Sequence, residues 1–218
     1  MTGKGRVSAG SPLEVRHTGF RPPQQARSRV ALEKLLSAAE EALSDNGLDQ
    51  FTIAAVAERS GLSVGAIYRR FDGKEELIAA VKNSLLTRVE AHVAEQLSNS
   101  DCGLTEVLGV FVHSLAEAFA AESTVLPDLL VRGNAECHER GFQALATVQR
   151  LLLNAAAPYL HEINRPDPMT SIVIVARTLI GSCIHRTMVQ QKWPDGLTWQ
   201  AWADLQAEIA TTYLLSSG

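Results

Sequence analysis

Between Thr52 and Lys74 the chain gathers side chains suited to meeting a polyanion. Thr52 and Ser63 bring short hydroxyls to places where helices should begin. Each either caps its helix or, beside the free N–H groups of a first turn, meets a phosphate oxygen. Arg69 and Arg70 can bond O6 and N7 of guanine bidentately, hold phosphate, or stand as solvated surface charges. Val64, Gly65 and Ala66 offer no side-chain donor, although Ala66 can touch a thymine methyl. Upstream, Arg27 and Arg29 precede the apolar stripe of a helix, where positive charge opposes the helix dipole and an external anion would give it a reason. Arg16 and Arg21 lie further out. Residues 1–74 hold 11 basic and 8 acidic side chains, so a chain of net charge −4 keeps its basic end where these groups are.

The elements that must hold these groups are helices. From Ala26 onward, Leu32, Leu35, Leu36, Ala39 and Leu43 repeat at helical spacing until Asn46-Gly47, which tolerates the left-handed turn of a helix end. Thr52 starts a short helix with Ile53, Val56 and Ala57 on its apolar side; Ala55 three places on gives no reciprocal capping box. Ser60-Gly61-Leu62 turns the chain, and Ser63 caps a second short helix carrying Ile67, Tyr68 and Phe71 before Asp72-Gly73. Small Ala54, Ala55 and Ala57 let the two helices approach, and Val56, Leu62, Ile67 and Phe71 supply a small shared core. Two short helices across a tight turn, braced by a longer one, make a helix-turn-helix, in which the second short helix enters the major groove.

Gly61-Leu62-Ser63, Tyr68-Arg69-Arg70-Phe71 and Lys74-Glu75-Glu76-Leu77 follow one another in an order and spacing that resemble the DNA reader of the TetR family. The motif resemblance runs from about Arg27 to Val81; beyond that only helix number and length are similar. It implies that Tyr68 contacts the DNA backbone through its hydroxyl, that Lys74 contacts phosphate from the start of the fourth helix, and that Phe71 is core. It also marks a departure, because the position held by Ala66 often bears a polar, base-facing residue in that family. Base reading would then lean on Arg69, Arg70, the thymine methyl and DNA shape.

The fold expected is all-α, with an N-terminal helix-turn-helix DNA-binding domain and a C-terminal helical ligand-binding and dimerisation domain. Residues 1–24, rich in Gly, Ser, Pro and basic side chains, read as a flexible arm; 25–74 as the reader; 75–98 as a connecting helix; 99–218 as the effector and dimer domain. Leu77, Ile78, Val81, Leu85, Val89 and Val93 mark the buried stripe of the connecting helix, and further helices are expected at about 104–121, 126–131, 134–160, 168–191 and 198–215. The β-branched run Ile172–Ile174 continues at helical spacing and is read as helix.

The resemblance implies that the last two long helices pair with those of a second subunit in a four-helix bundle. Ile172, Val175, Ala176, Leu179, Ile180 and Cys183 on one, with Trp202, Leu205, Ile209 and Tyr213 on the other, give stripes that either form that interface or close the protomer's own core. Phe111, His113, Leu115, Phe119, Leu130, Phe142 and His185 are candidates for an effector pocket; plain core packing is the other reading of each.

Hydrophobic residues at 46% and charged ones at 20% exclude a chain disordered throughout. No stretch approaches the run of ~20 apolar residues a membrane helix needs, and the start does not read as a signal peptide, so a cytoplasmic protein without a membrane partner is expected. Cys102, Cys137 and Cys183 are scattered, without Cys-x-x-Cys, and read as buried thiols rather than a disulfide framework; only Cys183 has a basic neighbour, Arg186, that would favour redox sensing. Glu136, Cys137, His138 and Glu139 are adjacent yet point different ways on a helix, so no metal site is expected. No nucleophile elbow or phosphate loop appears, so neither catalytic residues nor a cofactor are assigned. The expected function is an operator-binding regulator, a repressor released by a small-molecule effector and acting as a homodimer on double-stranded DNA. The alternative is a small-molecule-binding protein or enzyme with a vestigial helix-turn-helix, which the lean Gly65-Ala66 pair would suit.

Overall fold

The computed structural model describes residues 24–98, 103–131, 135–190 and 192–216. The N-terminal arm with Arg16 and Arg21, the side chain of Arg27, Cys102 and the side chain of Cys137 lie outside the described residues. Among those described there are helices and no strand: α1 (Gln24–Gln50), α2 (Ile53–Ser60), α3 (Val64–Tyr68), α4 (Lys74–Leu97), α5 (Leu104–Ala121), α6 (Leu126–Val131), α7 (Ala135–Ala156) with a 3-10 turn (Ala157–Glu162), α8 (Pro168–Val189) and α9 (Trp199–Leu215).

Local chemistry sets most of these limits. Gly47 at φ 66 and ψ 175 breaks α1, so the last residues of that span form a turn that returns Leu48 and Phe51 to the core. Thr52, Ser63, Asp167 and Thr198 each accept a hydrogen bond from the N–H three residues on, capping α2, α3, α8 and α9. Gly61, left-handed at φ 68, closes α2 with its N–H on Ala57 and Glu58 carbonyls. The helix expected over 134–160 changes to a 3-10 turn after Ala156, because Pro158 has no N–H to continue the α-helical ladder.

Two apolar cores result. The first joins Leu35, Ala39, Leu43 and Phe51 to Val56, Ile67 and Phe71, and continues past residue 74 through Leu77, Val81 and Leu85 of α4. The second is built from Val89, Val93 and Leu97 of α4 with α5, α7, α8 and α9. At 24 residues, α4 is a rod of about 36 Å that belongs to both. The short helix α6 also bridges them: Val125, just before it, and Leu129 enter the first core, whereas Leu126 enters the second and Leu130 packs on it.

The structure corrects two expectations. By length and composition, Leu104–Ala121 and Pro168–Val189 would each suffice to cross a membrane, contrary to the run-length estimate. Both are instead core-lining helices, with 56% and 44% of their residues buried. Second, Ile172, Val175, Ala176, Leu179, Ile180 and Cys183 face the protomer's own core together with Trp202, so they are not an intersubunit surface. Their 3-1-3-1-3 spacing is that of a wide stripe, which a single subunit consumes against α5 and α7. Of the residues expected at an interface, Leu205, Ile209 and Tyr213 remain exposed, and the outward face of α8 carries Ile174, Gly181, His185 and Met188. Arg186, inserted between Trp199 and Trp202 at 4.9 and 5.7 Å, bonds the Asp195 carboxylate and the Leu197 carbonyl, clasping the α8–α9 connection. Cys183 is sealed beneath it, and burial pushes its thiol far above the usual range against a small opposing pull from Arg186. A thiol so held is not a poised thiolate, so this cysteine gives the redox reading no support.

Candidate nucleic-acid interface and ligand cavity

The inner side of α3 is fixed by Ile67 and Phe71, both buried against α1 and α2. With that side pinned, Ser63, Val64, Gly65, Tyr68 and Arg69 face solvent together. Val64 is 41% and Tyr68 52% exposed, an unusual amount of large apolar surface for a five-residue helix. A Cβ added at Gly65 would meet nothing within 4 Å, so packing does not demand glycine there; the bare backbone leaves room for something to come close from outside. Ala66 is half-buried behind it. The hydroxyls of Thr52 and Ser63 accept from Ala55 and Ala66 N–H at 3.2 and 3.1 Å, and both residues remain exposed. Capping leaves each oxygen a further lone pair and its own proton for an outside partner.

The basic residues divide more sharply than their sequence suggests. Arg69 is exposed and makes no side-chain hydrogen bond among the described residues. Arg70 instead turns back to α1, donating from both terminal nitrogens to the carbonyl and hydroxyl of Ser28 at 3.3 Å. It therefore locks the start of α1 to the end of the recognition helix and is not an open base-reading side chain. Lys74 is likewise anchored: its Nζ donates to the Leu48 carbonyl at 2.8 Å and lies 5.7 Å from the Phe51 ring centre. It fastens the turn after α1 to the start of α4, with two N–H groups left for any other acceptor. Arg29 is 3.9 Å from Glu33 with both side chains well exposed, a pairing too weak to withhold it from an anion. The bond of Ser28 to Arg70 spans 42 residues, and no local pattern announces it.

Away from this face, α4, α5, α7 and α8 enclose a cavity of about 220 Å³. Four of the expected pocket residues, Leu115, Phe119, Leu130 and Phe142, line it. Three do not. Phe111 is fully buried in the core; His113 bonds Asp204 and the Gly109 carbonyl, each at 2.8 Å; His185 is on the outside of α8. The residue that sequence spacing missed is Lys82, buried in this wall. Its signal was available, since Lys82 stands four and seven residues before Leu86 and Val89 on the same face of α4.

Between cavity and reader, the Arg88 guanidinium bridges Glu40 of α1 at 2.5 Å and Glu122, ahead of α6, at 2.7 Å. Burial holds the Glu40 carboxyl above its usual range in spite of Arg88. Ser44 of α1 also donates to Thr124 at 3.1 Å.

Residues 35–81 match the family model described as bacterial regulatory proteins, tetR family. Among curated proteins, the chain is 37% identical over 75 residues to YvdT of Bacillus subtilis (strain 168), named an uncharacterized HTH-type transcriptional regulator; the match takes in 34% of this chain and 36% of that relative. It is 24% identical over 159 residues to the HTH-type transcriptional regulator BetI of Stenotrophomonas maltophilia (strain R551-3), covering 72% of this chain and 79% of BetI. Among solved structures it superposes on the transcriptional regulator FadR from Bacillus subtilis, solved in complex with stearoyl-CoA, with a TM-score of 0.69 at 16% identity, over 84% of this chain and 99% of that one. The last is a likeness of fold.

Proposed function

Because the chain belongs to the TetR family of bacterial regulatory proteins, we propose that it is a dimeric repressor whose hold on a palindromic operator is released by a small molecule bound in the C-terminal cavity. The observation that carries this reading is the division of α3: Ile67 and Phe71 fix one side of the helix, and Ser63, Val64, Gly65, Tyr68 and Arg69 are presented together on the other. A helix anchored in this way can enter a major groove as a unit, with hydroxyls and Arg29 at the flanks for phosphate. Base reading falls to Arg69 and to the apolar atoms of Val64, Ala66 and Tyr68. Arg70 and Lys74 act chiefly by setting the tilt of α3 against α1 and α4.

A second copy on a two-fold axis is supported by the outward apolar faces left on α8 and α9, reassigned here to Ile174, Gly181 and Met188 with Leu205, Ile209 and Tyr213. Release follows from α6 and Arg88. Leu130 touches the cavity, and Leu129 one position earlier sits in the reader's core, so a ligand that displaces α6 moves both. Arg88, holding Glu40 and Glu122, ties the same displacement to α1. The distance between the two readers of a dimer then departs from the ~34 Å of one DNA turn. FadR, solved with stearoyl-CoA, supports an effector site in a protein of this fold. The proposal includes no catalytic step, and it places the protein with the DNA in the cytoplasm.

Retardation of the DNA flanking its own gene tests this reading. Tight binding in the range of about 10⁻⁸ to 10⁻¹¹ M at physiological salt, resistant to a large excess of unrelated DNA, is expected. Equal competition by unrelated DNA would contradict it.

A further inference from the structure

Building on the reading of the chain as an effector-responsive regulator, we propose that the cavity is a site for an apolar carboxylate of medium size, with its tail against Leu115, Phe119 and Val148 and its carboxylate on the ammonium of Lys82. The walls are almost wholly apolar, and Lys82 is the buried exception at 3% exposed. No aspartate or glutamate lines the cavity among the described residues, and its other titratable group, His138, is exposed. The charge of the wall is therefore positive. In a poorly hydrated space a cationic ligand would be repelled and a neutral one would gain only apolar contact, whereas an anion gains both.

Lys82 also has an interaction inside the protein. An ammonium has three N–H donors, so an internal partner and a ligand oxygen are compatible. Gly141 on α7 keeps the ammonium reachable: Nζ lies 4.0 Å from where a Cβ at that position would be, and any longer side chain there would take up the space beside it. Size points to the same class. A cavity of about 150 Å³ holds benzene, so 220 Å³ admits a molecule of roughly ten non-hydrogen atoms. One ammonium matches one carboxylate, while a phosphate monoester would call for more donors than this wall supplies.

Calorimetric titration of the full-length protein with octanoate, 1-octanol and octylamine tests the site. Octanoate should bind at least about tenfold more tightly than 1-octanol, and octylamine should not saturate it. Lys82→Met, which keeps the stem and removes the charge, should weaken octanoate by about 10- to 100-fold and leave 1-octanol within about threefold. Gly141→Leu should abolish binding of both by filling the space. Wild-type protein that prefers 1-octanol or octylamine overturns the proposal whatever the variants do, as does octanoate binding unchanged in a folded Lys82→Met protein. Octanoate that binds through Lys82 yet leaves operator retardation unchanged would uphold the site and contradict effector release. Operator release by an uncharged ligand, blocked by Gly141→Leu and with no octanoate binding, would do the reverse.

Discussion

Ile209→Glu yields a folded monomer that no longer retards operator DNA. Ile209 is 63% exposed in the protomer, between Leu205 and Tyr213 on the outward face of α9, so its loss removes little from the subunit's own core. In a two-fold interface the substitution enters twice, and two carboxylates are brought into an apolar contact that offers them no partner. Leaving such charges buried and unpaired costs several kcal/mol each, so the dimer constant should rise by at least about a thousandfold. Sedimentation equilibrium reads the oligomeric state, and circular dichroism checks that helix content is retained. Leu179→Ala is the contrasting variant. Leu179 is buried within the protomer, so the expected loss there is about 2–5 kcal/mol of folding stability with dimerisation preserved in the folded fraction. Were Leu179→Ala to dissociate the dimer and Ile209→Glu to leave it intact, the interface would have to be moved back to the inner stripe of α8.

Arg69→Ala weakens operator binding by about 10- to 100-fold at unchanged melting temperature, whereas Arg70→Ala lowers both. Arg69 has no partner to lose among the described residues, so its removal acts on DNA alone. If Arg69 reads a base, the loss should be about 1–3 kcal/mol and confined to the cognate sequence; if it holds phosphate, all sequences weaken and the salt slope falls by about one. Arg70 bonds Ser28 twice, and freeing the start of α1 should cost about 1 kcal/mol of stability. Equal, weak binding by wild type and both variants would favour a vestigial reader. The parallel titrations against operator and random DNA separate these outcomes.

The reader's outline was legible because its limits are set locally. Thr52, Gly61, Ser63 and Asp72-Gly73 act through hydrogen bonds or backbone freedom within three or four residues, and the helices begin and end beside them. Phe71 as core follows from the same helical spacing. The roles of Arg70 and Lys74 were not legible, because their partners, Ser28 and Leu48, are 42 and 26 residues away. The inward face of α8 was ambiguous for another reason. The helix is apolar on much of its surface, and spacing alone does not say which stripe meets its own subunit and which a second. In the cavity, attention to aromatics found Phe119 and Phe142 but passed over Lys82, whose helical register with Leu86 and Val89 marked it as buried.

A binding selection from random double-stranded oligonucleotides, with full-length protein at physiological salt, tests most directly whether this chain is a two-fold reader of DNA. The predicted result is an enriched palindrome with half-sites separated by about one helical turn or a multiple of it, in which Arg69→Ala relaxes one symmetry-related pair of positions. Recovery of no preferred sequence, or of an asymmetric site bound equally well by the Ile209→Glu monomer, would contradict the account.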